Sequence, residues 1–227
     1  MNKSAAAFST RVTGAAKADS LANMQLRLPV VVIGGGLTAI DTATESLAYC
    51  PIQVEKFLER HETLAALEGE AALRARWTPE ERELAEEFLA HGRAIRAERA
   101  AARAEGRAAR VVELLQQWGG VTLAYRKRLV DSPSYTLNHE EVEKALEESI
   151  RFAECVDPRR IDVDTHGAVH SITLSRQLRA EDGAWSSAEG DQGMVTWPAR
   201  SVFVAAGTQP NTVLSREDPG HFKLDGK

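Results

Sequence analysis

Two kinds of apolar pattern alternate along the chain. The first is a short unbroken run. Val30-Val31-Val32-Ile33 contains no polar position, and such a β-branched run predicts a strand buried on both faces of a parallel sheet. Val121–Tyr125 and Ser201–Ala206 read the same way. The second pattern has helical period. From Thr38 the residues Ile40, Ala43 and Leu47 recur on one face, and Pro51 predicts a break or restart of that helix. Residues 52–117 are rich in Ala, Glu, Arg and Leu, with almost no β-branched positions, which predicts two or three long helices. Within them Thr78-Pro79-Glu80-Glu81 is a start signal: Thr78 as N-cap, Pro79 at the first helical position, Glu81 closing a capping box. Gly106 weakens the helical stretch and Gly119-Gly120 ends it. Asn138 with Glu141 predicts a further capping box, opening a helix whose apolar face is Val142, Ala145, Leu146 and Ile150. Three alternating segments follow, Arg160–Asp164, Val169–Leu178 and Met194–Trp197, with a Gly-, Ser- and Asp-rich linker from Arg179 to Gly193. Their spacing predicts an antiparallel meander.

One motif carries chemistry. Strand, then Gly34-x-Gly36-x-x-Ala39, then helix is the dinucleotide fingerprint in its proper context. Gly34 allows the tight turn out of the strand, Gly36 lets a pyrophosphate approach the backbone, and Ala39 lets the helix pack close to the sheet. The phosphates then meet the free N–H groups and the dipole at the helix N-terminus. The usual acidic companion, some 20 residues on, is absent; Glu55 lies near that distance but in helical sequence. An insertion between the first helix and the second strand accounts for this. The second strand is then 121–125, tipped by Arg126-Lys127-Arg128. Positive charge there suits a 2′-phosphate, which favours NADPH over NADH.

Composition narrows the alternatives. The 227 residues are 43% hydrophobic and 27% charged, an ordinary globular balance. A net charge of −5 argues against nucleic acid or an anionic membrane as partner. No apolar run approaches a bilayer span, and residues 1–28 lack the apolar core of a secretory signal, so the expected location is cytoplasmic. Cys50 and Cys155 are far apart and read as reduced thiols; neither they nor the six scattered histidines form a metal pattern. No Walker lysine follows the glycines, and no Gly-x-Ser-x-Gly elbow occurs.

Three blocks together resemble a known family. Val30–Asp41, Val121–Arg128 with Glu140–Glu148, and Ala205–Asn211 are similar to the NADPH-binding domain of the glutamate synthase small-subunit-like family of FAD-dependent pyridine nucleotide-disulfide oxidoreductases, in a variant with a helical insert. The resemblance implies hydride transfer from NADPH to FAD and onward electron transfer. It implies Gly34, Gly35, Gly36, Leu37, Thr38 and Ala39 at the pyrophosphate, Arg126 with Lys127 or Arg128 at the 2′-phosphate, and Gly207 in the turn towards a FAD domain. The family's FAD motif and its N-terminal iron–sulfur cysteines are missing here. FAD is therefore expected only from a partner subunit or a further domain, and no acid–base residue is assigned.

The expected fold class is α/β: a Rossmann-like three-layer dinucleotide-binding domain with an antiparallel β-meander and an inserted helical segment. The expected divisions are a lead-in over 1–28, the NAD(P)H-binding domain over 29–51 and 119–206, the insertion over 52–118, and a stub returning towards a FAD domain over 207–227. Two further readings remain open: a non-catalytic interaction protein whose helical insert is the working surface, and a self-contained dehydrogenase, for which no Tyr-x-x-x-Lys pair is present.

Overall fold

The structure, a computed structural model, describes residues 25–188, 190, 193–207, 213–218, 220 and 221. Most of the expected lead-in and stub, including Thr208–Asn211, lies outside the described residues.

The apolar runs become the centre of the molecule. Strands β1 (Val30–Ile33), β2 (Val121–Ala124), β3 (Arg151–Ala153) and β8 (Ser201–Val204) form one parallel sheet in the order β3-β2-β1-β8. β1 pairs with β2 from Val30 opposite Val121, and with β8 from Val30 opposite Ser201. Both faces of this sheet are covered, which explains the lack of alternation in its strands. Val30, Val32, Val121, Leu123 and Phe203 face the helices, packed with Ala39, Ala43, Leu47, Val142 and Ala145. Val31, Ala124 and Val202 face the other way, packed with Val156, Val169, Ile172 and Leu174 of the meander. The meander is β4 (Val156–Val163), β5 (Val169–Arg179), β6 (Trp185–Ser187) and β7 (Met194–Pro198), with β5 antiparallel to the other three. The chain is thus a Rossmann-like α/β fold: helices on one face of the parallel sheet and a second, antiparallel sheet on the other.

Between β1 and β2 the chain makes a helical excursion of α1 (Leu37–Glu68), α2 (Glu70–Ala75), α3 (Pro79–Glu105) and α4 (Val111–Gln117). The start signal at Thr78 is realised in full: Thr78 Oγ accepts from Glu81 N–H at 3.2 Å, and the Glu81 carboxylate accepts from Thr78 N–H at 2.8 Å. Gly106 terminates α3 in the left-handed conformation. The break at Pro51 does not occur. α1 runs through it for 32 residues. Proline removes one N–H and crowds the preceding turn, but Cys50, Pro51, Val54 and Leu58 are all buried on one face, and this packing overrides the local cost. α1 and α3 then cross closely at Gly92, where a Cβ would lie 2.8 Å from the Val54 carbonyl oxygen. Val54 packs with Leu84, Phe88 and Ile95, while Leu115 of α4 belongs to the core beneath the parallel sheet. The excursion and the sheet therefore share packed residues on either side of position 118.

α5 (Pro133–Glu147) also departs from expectation. It begins six residues before the capping box read at Asn138, because Ser132 and Pro133 supply a stronger start: Ser132 Oγ accepts from Tyr135 N–H at 3.2 Å, and Pro133 sits in the first turn. Asn138, at φ −154°, is instead a kink within the helix. A short helix α6 (Val213–Glu217) follows the sheet. Among the described residues no helix is long and apolar enough to cross a membrane.

Candidate functional site

The sheet order places β1 between a strand that follows it (β2) and one that returns from the far end of the chain (β8). That is a topological switch point, where loops diverge and leave a crevice at the carboxyl ends of the strands. A cleft of about 960 Å³ lies there. Its floor is Ile33, Gly34, Gly35, Gly36 and Thr38. Arg126 stands at the end of β2, and Val204, Ala205, Ala206 and Gly207 at the end of β8. The second wall is the first part of β4, from Val156 to Ile161.

Each glycine has a separate steric reason. A Cβ on Gly34 would lie 2.3 Å from the Ala205 carbonyl oxygen and 2.8 Å from Ala39 Cβ, so this position is squeezed between β8 and α1. A Cβ on Gly35 would lie 2.3 Å from the ring of Tyr125. A Cβ on Gly36 would meet nothing within 4 Å. Gly36 is therefore not needed by the protein's own packing, and the space above it is open. α1 starts there with Gly36 as N-cap, no side-chain cap and no acidic residue in the first turn. The N–H groups of Gly36, Leu37 and Thr38 find no acceptor among the described residues, and the helix dipole adds partial positive charge at the same place.

The cations of the basic turn differ. Arg126 is exposed, lines the cleft and has no ion-pair or hydrogen-bond partner among the described residues. Arg128 is committed elsewhere: Nε and Nη2 donate to Asp131 at 2.7 and 2.9 Å, which holds the Asp131 carboxyl below its ordinary range. Lys127 is half-buried and also off the cleft; its carbonyl accepts from Cys155 N–H. One or the other was expected to join Arg126 at the 2′-phosphate, and neither lines the wall. Leu37 is 37% exposed and does not line the cleft either. Ala39 is fully buried beneath the glycine turn.

Sequence reasoning missed the second wall. Asp157, Arg159 and Arg160 face the cleft from β4. Arg159 is fixed by Ser175 Oγ at 2.8 Å, by Ser187 and by Asp157; Arg160 pairs with Asp162. The one signal was the Arg-Arg pair itself, which does not say that a meander strand folds over a Rossmann crevice. Tyr125 was read only as the end of a strand. It is a wall of the cleft, and burial pushes its phenol above the ordinary value, against the opposing effect of Arg126.

No protein-family model matches the chain. The uncharacterized protein RP006 of Rickettsia prowazekii (strain Madrid E) is 38% identical over 217 residues, covering 92% of this chain and 28% of the relative. The chain thus spans less than a third of the curated relative it matches. Among solved structures, the covalent putidaredoxin reductase–putidaredoxin complex is similar at a TM-score of 0.35 with 12% identity, over 86% of this chain and 27% of that one. A likeness of that size transfers no activity.

Proposed function

We propose that the cleft binds NADPH and that the chain is the nicotinamide-nucleotide module of a flavin-dependent oxidoreductase of the glutamate synthase small-subunit-like type. The observation that carries this reading is the pairing of an uncapped glycine turn with one uncommitted arginine across a crevice at the sheet's switch point. The free N–H groups at 36–38 suit a pyrophosphate, and the open space over Gly36 admits it. Arg126, one strand away, suits the 2′-phosphate, with its planar fork free to donate two parallel hydrogen bonds. The end of β8, where Val204 is 57% exposed, offers an apolar rest for the nicotinamide half.

Bound NADPH supplies a hydride. The chain's part is to hold it and to expose it at the β8 edge; the acceptor is a flavin carried by another domain or subunit, in a cytoplasmic electron-transfer assembly. A titration of the purified chain with NADPH and NADH, followed by nucleotide fluorescence, tests the reading. Saturable binding with NADPH the tighter ligand is expected. Absence of binding by both nucleotides would overturn it.

A further inference from the structure

The glycine turn is gripped from outside the fingerprint. The ten residues 125–134 leave β2, pass the basic turn and enter α5, and both ends of this segment touch Gly35. The Tyr125 ring packs on its Cα side, so close that no Cβ fits. On its carbonyl side Ser134 donates twice, from its N–H at 3.1 Å and from Oγ–H at 3.0 Å. Ser132 and Ser134 are 1% and 2% exposed, and their hydroxyls lie 3.1 Å apart. Ser132 Oγ accepts from Tyr135 N–H. The directions then follow: Tyr135 N–H to Ser132, Ser132 O–H to Ser134, Ser134 O–H to the Gly35 carbonyl. Each hydroxyl is used once as donor and once as acceptor, so the chain is fully satisfied and its members polarise one another.

Resting on the nucleotide reading of the cleft, we propose that Ser134 is a positioning residue that aims the Gly36 N–H at the cofactor's pyrophosphate. A trans peptide sets its C=O and N–H on opposite sides of the C–N bond. Fixing the Gly35 carbonyl towards α5 therefore turns the Gly36 N–H the other way, away from α5, where it has no acceptor among the described residues. A glycine–glycine peptide without such a pin rotates freely between orientations, and a donor that must be ordered on binding loses affinity. The segment that carries Arg126 thus also presets the phosphate turn.

The test uses the whole chain with Ser134→Ala and Ser134→Thr. Loss of one such hydrogen bond is worth about 1 kcal/mol, or roughly fivefold in affinity. Ser134→Ala is expected to weaken NADPH and NADH by the same factor, because both carry the pyrophosphate; Ser134→Thr, which keeps the hydroxyl, restores most of it. In the unmutated chain the Gly36 amide resonance is expected to shift downfield when NADPH is added, and this shift shrinks in Ser134→Ala. Unchanged affinities in folded Ser134→Ala overturn the proposal, as does a loss confined to NADPH. Should Ser134→Ala fail to fold, the unmutated protein decides alone: NADPH binding that leaves the Gly36 amide unmoved refutes the role. If the unmutated chain binds neither nucleotide, the nucleotide reading itself falls, and this proposal with it.

Discussion

The two ends of the parallel sheet are built to opposite rules. At the amino ends of β1 and β8 polar groups are paired off. Arg27 bonds Glu83 at 3.1 Å and also Glu87, and Arg200 bonds Glu83 at 2.9 Å, which ties α3 to the segments entering both strands. Gln53 exchanges two hydrogen bonds with the Leu26 backbone, and Ser201 Oγ exchanges two with Arg27. At the carboxyl ends the N–H groups at 36–38 and the Arg126 guanidinium have no partner among the described residues. A fold that pairs its polar groups at one end and leaves cationic donors free in a crevice at the other offers the proposed nucleotide phosphates unoccupied donors at the second end.

The contrast breaks first at Gly36. Its backbone is extended, at φ −101° and ψ 176°, and nothing opposes a side chain there. Gly36→Val should therefore fold as before yet lose NADPH binding by more than about a hundredfold, since the valine occupies the space the phosphates need. Calorimetric titration beside a thermal melt checks both halves.

Arg126→Ala comes next. Charge-assisted bonds of about 1.5–3 kcal/mol correspond to roughly ten- to a hundredfold. NADPH affinity should fall by that factor and NADH affinity should stay put. Arg128→Ala, whose side chain belongs to Asp131, should alter neither.

Arg27→Ala sharpens the comparison from the other end. Arg27 is 12% exposed and its removal strands Glu87. Stability should drop by about 2 kcal/mol in urea unfolding, with nucleotide affinities unchanged.

The smallest effect is expected at Glu98, in the excursion. The Arg107 guanidinium holds its carboxyl down at about 2, from 4.5. A depressed folded value means that the pair stabilises above about 4.5 and that this contribution fades as pH falls towards about 2. Glu98→Gln should melt earlier than the unmutated chain at pH 6, and the gap should close through that window. Salt should narrow it too, as for any surface pair.

The parallel sheet and the glycine floor were legible because each rests on local chemistry. Val30–Ile33 is an unbroken apolar run that fits burial on both faces, and Gly34-x-Gly36-x-x-Ala39 after such a strand matches the dinucleotide fingerprint. What was not legible depends on distant residues. Pro51 reads as a break or restart until Val54 and Leu58 are seen packed into α3 and its neighbours. Asn138 and Glu141 satisfy the capping pattern, but Ser132-Pro133 competes for the same helix and takes the start. Arg126, Lys127 and Arg128 look alike in sequence; Asp131 and the backbone of Cys155 separate them. The β4 wall shows in the sequence only as the Arg159-Arg160 pair, and the serine relay has no signature, because each meets the glycine turn from elements far along the chain.

The unbroken course of α1 has a mechanical consequence. A helix of 32 residues is about 48 Å long at 1.5 Å per residue. One end is the glycine turn, and the other lies in the excursion, beyond the point where His61 lies against Trp77. Such a rod, packed on the sheet at Ala39, Ala43 and Leu47 and against α3 at Val54, joins the two places through one hydrogen-bonded backbone. The spacing between the glycine turn and the far tip of α1 is thereby set by helix geometry, whatever occupies either end.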